Sequence, residues 1–138
     1  MFLGRYYHTI EDKGRISLPK AFRELEKQWV LTRGLDGGIF LFPYQTFETQ
    51  LAELSKMSFT KKTNRDFVRL MTNDATQVEA DANGRIAIPE FLRAAAQLTK
   101  QVVVVGSYNR IEIWDVDKYH QYLDQLSAQA ESIAEEVL

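Results

Sequence analysis

Two arginines, Arg15 and Arg85, stand in the same short context: Gly14-Arg15-Ile16-Ser17-Leu18-Pro19 and Gly84-Arg85-Ile86-Ala87-Ile88-Pro89. A guanidinium held beside a glycine turn projects from a rigid base. Its planar fork can take a phosphate, or the O6/N7 edge of a guanine, through two parallel hydrogen bonds. The same fork can instead pair with an acid of its own turn, and each copy offers one: Glu11 in the first, Asp81 in the second. Around Arg15 lie Lys13, Lys20, Arg23 and Arg5, a group suited to a phosphate backbone although each alone is an ordinary solvated cation. The second copy is poorer. Asn83 stands where the first has Lys13, Glu90 where it has Lys20, and the position of Arg5 falls on Ala75. The first copy is therefore expected to dominate contact, with Gly84, Arg85 and Asn83 in support.

Other chemistry finds little footing. Glu11 and Asp81 could be imagined as a general acid and base, but symmetric positions of a repeat would have to converge on one pocket. They are better suited to stabilising their turns by accepting backbone N–H groups. His8 and His120 are isolated, so no metal or other cofactor is expected. There is no cysteine, which removes disulfides and thiol catalysis and fits a reducing cytoplasm. The first residues are too short and polar for a signal peptide, and no apolar run approaches a membrane span. An enzyme is not expected.

The elements that must position these residues are themselves repeated. Phe22-Arg23 answers Leu92-Arg93, Val30-Leu31 answers Val102-Val103, Ile39, Leu41 and Phe42 answer Ile111, Ile113 and Trp114, and Phe47, Leu51 and Leu54 answer Tyr119, Leu123 and Leu126. Each copy reads as a strand (Tyr6–Ile10, Gln77–Ala80), a glycine turn and a short strand (Ile16–Leu18, Ile86–Ile88). A proline then opens a short helix with Phe22 and Leu25, or Leu92 and Ala95, facing the core. A hairpin follows, Trp29–Thr32 with Ile39–Phe42, or Val102–Val105 with Ile111–Trp114. Helices are expected over Tyr44–Lys56, Asn64–Met71 and Val116–Val137. Units this small have too little core to stand alone, so the copies should complete each other.

Charge is also divided. The chain carries −2 overall, but Asp115 onward holds six acids against the single base Lys118, which leaves a net +3 on residues 1–114. A mildly basic body with an acidic tail suits a polyanionic partner at the body. The tail helix bears an apolar stripe, Leu123, Leu126, Ala130, Ile133, Ala134 and Val137, which reads equally as a solvated end or a subunit contact.

The pair Glu11-x-x-Gly14-Arg15 and Asp81-x-x-Gly84-Arg85 resembles the doubled Asp-x-x-Gly-Arg signature of the MraZ family, and the resemblance extends from Phe2-Leu3-Gly4 to Ile111-Glu112-Ile113-Trp114. Glu11 departs from the signature by one methylene. The resemblance implies an α+β fold: a tandem, pseudo-symmetric AbrB-like (swapped-hairpin) β-barrel with flanking helices. Its parts would be a first DNA-binding repeat over 5–47, a helical linker over 48–75, a second repeat over 76–119 and a C-terminal helix extension over 120–138. It further implies a cytoplasmic, nucleoid-associated transcriptional regulator. Such a protein would form a ring-shaped homo-oligomer on double-stranded DNA, at direct repeats near the promoter of its own gene in the cell-division and cell-wall cluster, and would repress it. The competing expectation is an AbrB-type antitoxin or protein-interaction module.

Overall fold

The computed structural model describes all residues, 1–138. In chain order the elements are β1 (Phe2–Thr9), a 3-10 turn (Asp12–Gly14), β2 (Arg15–Ser17), α1 (Lys20–Arg23), β3 (Gln28–Arg33), β4 (Ile39–Pro43), α2 (Tyr44–Ser55), α3 (Lys62–Asn73), β5 (Thr76–Glu79), β6 (Arg85–Ala87), α4 (Glu90–Ala95), β7 (Gln101–Tyr108), β8 (Ile111–Asp115), α5 (Val116–Ala128) and α6 (Ala130–Val137). The class is α+β, as expected.

Strand pairing shows how the copies complete each other. Six strands form one antiparallel sheet in the order β1-β7-β8-β4-β3-β5. Each repeat keeps its own hairpin, β3–β4 or β7–β8, but its first strand pairs with the other repeat's hairpin: β1 with β7 and β5 with β3. The two hairpins meet at β4 and β8 in the middle. The two short strands form a separate ribbon, with Ile16 opposite Ile86 at its centre. Two further bonds extend it symmetrically: Leu18 N–H donates to the Gly84 carbonyl and Ile88 N–H to the Gly14 carbonyl, both at 2.9 Å.

Side-chain alternation along the strands assigns the layers. Trp29, Leu31, Ile39, Leu41, Val102, Val104, Ile111 and Ile113 point to one face, where Ile16 and Ile86 of the ribbon and Phe22 and Leu92 of the short helices close a sixteen-residue core. The other face holds Val30, Phe40 and Phe42 under α2 and α3, and Val103, Val105 and Trp114 under α5. β3, β4 and the first half of β7 are buried on both faces, which is why Trp29–Leu31, Ile39–Phe42 and Val102–Val105 read as unbroken apolar runs, whereas β8 is interrupted by the partly exposed Glu112.

Several expectations are corrected. The sheet is not a closed barrel, since β1 and β5 are its two edges. Leu25 is 53% exposed because α1 is a single turn ending at Arg23, two residues short of it. In α4 the inward position after Leu92 is Ala96, four residues on, and Ala95 faces outward. β1 begins at Phe2 because it pairs with the full length of β7, through Phe2 opposite Tyr108. The C-terminal helix is interrupted at Gln129, whose backbone sits at φ −113°, ψ 11° and whose N–H bonds to Leu126, three residues back.

The two ribbon glycines are required by conformation and by space. Gly14 and Gly84 have φ of +72° and +77°, where a side chain costs about 1–2 kcal/mol. A Cβ on Gly14 would lie 2.6 Å from the Ile88 carbonyl oxygen, a backbone atom fixed by the ribbon, whereas one on Gly84 would strike the mobile end of Arg23. Gly14→Ala should therefore lower the free energy of unfolding by roughly 2–4 kcal/mol and Gly84→Ala by about 1–2 kcal/mol, read from urea midpoints. Equal losses would contradict this assignment of the two contacts.

Candidate functional site

Because Ile16 and Ile86 are fully buried, their neighbours along the ribbon must point outward. Arg15 and Ser17 on one strand, and Arg85 and Ala87 on the other, therefore share the outer face. Arg15 lies opposite Ala87, and Ser17 opposite Arg85. The turns that lead into the two strands share their main-chain bonds: the Glu11 and Asp81 backbone carbonyls accept from the Gly14 and Gly84 N–H at 3.1 and 2.9 Å, and their backbone N–H groups donate to the Arg15 and Arg85 carbonyls at 2.8 Å.

The side chains break this symmetry. Asp81 folds back over its own turn and accepts from the Asn83 and Arg85 N–H groups, both at 2.9 Å. These bonds, that from Arg85 N–H foremost, hold its carboxyl below the usual value of 3.8, against a smaller cost of desolvation. Glu11 makes no such cap, so the expectation that it would bond its own turn is not met. Its carboxylate instead crosses to the second copy and accepts from Arg85 Nη1 at 3.0 Å. Arg85 Nε also donates to Asp81 at 3.3 Å. Arg85 is thus held between two carboxylates, with Glu11 the main cause of a raised guanidinium pKa. Arg15 has no carboxylate within ion-pair distance and donates only to the Asp12 carbonyl, at 3.2 Å.

The remaining candidates divide. Lys13 is exposed at the tip of the first turn, with φ 65°, a left-handed conformation that its side chain disfavours. Asn83, its counterpart, is exposed on the second turn. Lys20 is solvated and 3.8 Å from Glu24, one turn on. Arg23 is half-buried and lies over Gly84 of the other repeat. Arg93 mirrors it over Gly14, with Nε donating to the Ile88 carbonyl at 3.0 Å. Sequence reasoning passed over Arg93, although the Phe22-Arg23 and Leu92-Arg93 correspondence was its signal.

Arg5 does not join the group. Phe2 and Tyr6 turn toward Phe22 on the ribbon side of the sheet, so Arg5, of opposite parity, faces the α5 side. There it opposes the rise that burial imposes on the Tyr119 pKa. The histidines are also apart: His8 has the parity of Phe2, and burial pushes its pKa down, whereas Tyr7 carries His120 on the other face through a 3.0 Å hydrogen bond and ring stacking.

One pH dependence follows. A carboxyl whose folded pKa is depressed contributes stability that is present in full above its unfolded value, near 3.8, and lost as pH falls through the lower folded value. Asp81→Asn should therefore make the acid limb of stability below about pH 4 shallower, with Asp66 and Asp115, whose carboxyls are also depressed, supplying the remainder, measured as thermal midpoint against pH. A limb as steep as wild type would show that Asp81 does not contribute to it.

Comparison with known proteins agrees with the duplicated architecture. The family described as "MraZ protein" and antitoxin-like matches twice in succession, over residues 1–70 and 71–137. A protein named "Transcriptional regulator MraZ" from Moorella thermoacetica is 42% identical over 139 residues, which cover 100% of this chain and 97% of that one. Proteins of the same name from Pediococcus pentosaceus and Halothermothrix orenii are 40% and 42% identical, covering 100% and 97% of this chain and 97% and 94% of theirs. With both copies matched and full-length relatives at this identity, the chain belongs to the MraZ family.

Proposed function

We propose that the chain is a transcriptional regulator, not an enzyme, and that it binds double-stranded DNA through the first turn of the ribbon, with Arg15 as the principal contact. The observation that carries this reading is the unequal pairing of the two arginines. A guanidinium between two carboxylates must give one up before it can bind a phosphate or a guanine, whereas Arg15 has none to give up. Lys13 and Lys20 supply phosphate contacts near it. Arg23 and Arg93 support the opposite turns, and Gly84, Arg85 and Asn83 supply the weaker second contact. The exchanged first strands suit an AbrB-like, swapped-hairpin ancestry for the repeats at 5–47 and 76–119, with 48–75 as a helical linker and 120–138 as the extension.

A turn of three residues binds weakly alone. Several copies in a ring, presented to direct repeats of matching spacing, gain affinity through effective concentration. Occupation of the promoter of its own gene, in the cell-division and cell-wall cluster, would repress it by excluding polymerase, and would place the protein at the nucleoid. The alternative, an antitoxin or interaction module, draws on α6, which buries none of its residues. That reading predicts a tight protein partner and no dependence of function on Arg15.

A gel-shift series on the DNA upstream of the gene tests the assignment. Arg15→Ala should weaken binding about 10–100-fold and Arg85→Ala only a few-fold, with circular dichroism verifying that both are folded. Equal losses would overturn the assigned asymmetry, and no binding by wild type at low salt would overturn the function. Lys13→Gly separates the roles of the turn tip: relief of the left-handed strain should raise stability by about 0.5–1 kcal/mol while loss of the charge weakens binding and shallows its salt dependence.

A further inference from the structure

The connection between α2 and α3 presents apolar side chains to solvent and holds them there. Phe59 is 78% exposed and Met57 53%. The segment that carries them is pinned from α3. Arg65 Nη1 donates to the Phe59 and Thr60 carbonyls at 3.0 and 2.9 Å. The Ser58 carbonyl accepts from Asn64 Nδ2 at 3.0 Å and from the Lys61 N–H at 3.2 Å. The Ser58 and Thr60 hydroxyls bond each other at 2.9 Å. Three successive carbonyls of an exposed loop are thus satisfied from within. Water satisfies such groups in a loop that stays in solution; internal partners matter where water is displaced.

Charge and shape at this tip agree. Residues 53–69 hold five bases against two acids, a net +3 within a chain of −2. Asp66 is already shared by Lys62 and Arg69, whereas Lys56 and Lys61, which bracket the tip, have no acidic partner. Behind Phe59 an open groove of about 230 Å³ runs between the helices, with Leu54, Met57 and Val68 as its apolar lining. α2 and α3 cover the sheet face opposite the ribbon, so the tip belongs to the side of the molecule away from Arg15.

We propose that this tip docks on the surface of an anionic lipid bilayer, with Phe59 and Met57 entering the acyl boundary and Lys56 and Lys61 at the headgroups. A segment that lies on a membrane gains from buried apolar area and from attraction of its cations to anionic lipid, and this tip offers both. The lysine stems are long enough to keep their ammonium groups among the headgroups while the ring inserts. A nucleic acid would engage the lysines but leave Met57 and the groove unused. The contact is with the surface only, since no helix is long and apolar enough to cross a membrane. One aromatic ring and two lysines bind reversibly, and linked copies strengthen the contact through effective concentration. The contact does not rest on DNA binding through Arg15; with the two surfaces on opposite faces, one molecule can hold both.

Co-sedimentation of the full-length chain with vesicles tests the contact, using phosphatidylcholine alone and phosphatidylcholine with about one third phosphatidylglycerol. Wild type should pellet with the anionic vesicles, not with the neutral ones, and should be released as salt rises. Phe59→Ser, and Lys56→Gln with Lys61→Gln, should each lower the partition coefficient about 10-fold or more. Phe91→Ser, at an exposed aromatic of α4 on the ribbon side, should not lower it. All these positions are exposed, so circular dichroism should be unchanged. Insertion is read in Phe59→Trp: Trp29 and Trp114 are buried, so a blue shift of emission on adding anionic vesicles reports position 59. Duplex affinity should be unchanged by Phe59→Ser. No pelleting, equal pelleting with both vesicle types, or unshifted emission from position 59 overturns the proposal. Partition indifferent to the tip substitutions does so too, and would assign adsorption to cations elsewhere. Loss of duplex affinity in Phe59→Ser with vesicle binding intact would make the tip a nucleic-acid contact instead. Failure of wild type to bind duplex, with these vesicle results obtained, would sink the DNA reading and leave this contact standing.

Discussion

The structure depends on the exchange of first strands between the two repeats. β1 satisfies the edge of β7 and β5 satisfies the edge of β3, so neither repeat completes its sheet from its own residues. The ribbon tightens the same dependence. Its two outer hydrogen bonds run from Leu18 of one copy to Gly84 of the other, and from Ile88 back to Gly14. A backbone donor or acceptor left unpaired in a buried setting is costly, so a separated half would lose sheet bonds, ribbon bonds and core together. The core has the same ownership: Ile16, Leu18 and Phe22 from one copy meet Ile86, Ile88 and Leu92 from the other. The rigidity of each Gly-Arg turn is thus borrowed. Gly14 sits under Arg93, and Gly84 under Arg23.

On this symmetric frame the surface is free to differ. The duplicated backbone fixes the height and direction of both arginines, while one substitution decides their availability. Asp81 is short enough to fold onto its own turn. Glu11, longer by a methylene at the corresponding position, leaves its own turn uncapped and reaches Arg85. Its departure from the signature therefore has two effects. The first turn is held by main-chain bonds alone, with Lys13 left-handed at its tip, and the second arginine is doubly paired while the first has no carboxylate partner. The extra methylene noted in the sequence thus yields a carboxylate that acts across the repeat.

Much of the frame was legible in the sequence because it is local. The glycine turns, the short strands after them, the prolines opening α1 and α4, and the inward Phe22 and Leu92 follow from periodicity and turn chemistry. What escaped is what distance decides. An unbroken run such as Ile39–Phe42 marks burial on both faces without saying which neighbours lie on each, so neither the open sheet nor its edges could be read from it. Arg5 was grouped with Arg15 by proximity in the chain, yet strand parity sends it to the opposite face. Leu25 and Ala95 kept the helical spacing, but α1 ends before Leu25 and the packed row of α4 runs through Ala96. The roles of Arg23 and Arg93 depend on the other repeat, which no single stretch of sequence displays.

The central claim is that two turns with the same main-chain hydrogen bonds are unequal toward DNA because of the charges around them. A photo-crosslinking side chain placed at Lys13 in one protein and at Asn83 in another reads this directly, since both positions are exposed at equivalent turns. Irradiation on operator DNA should give most of the protein–DNA adduct from position 13, and reversal of Glu11 to lysine should raise the share from position 83. Equal adduct from both turns in the parent chain, or more from position 83, would contradict the account.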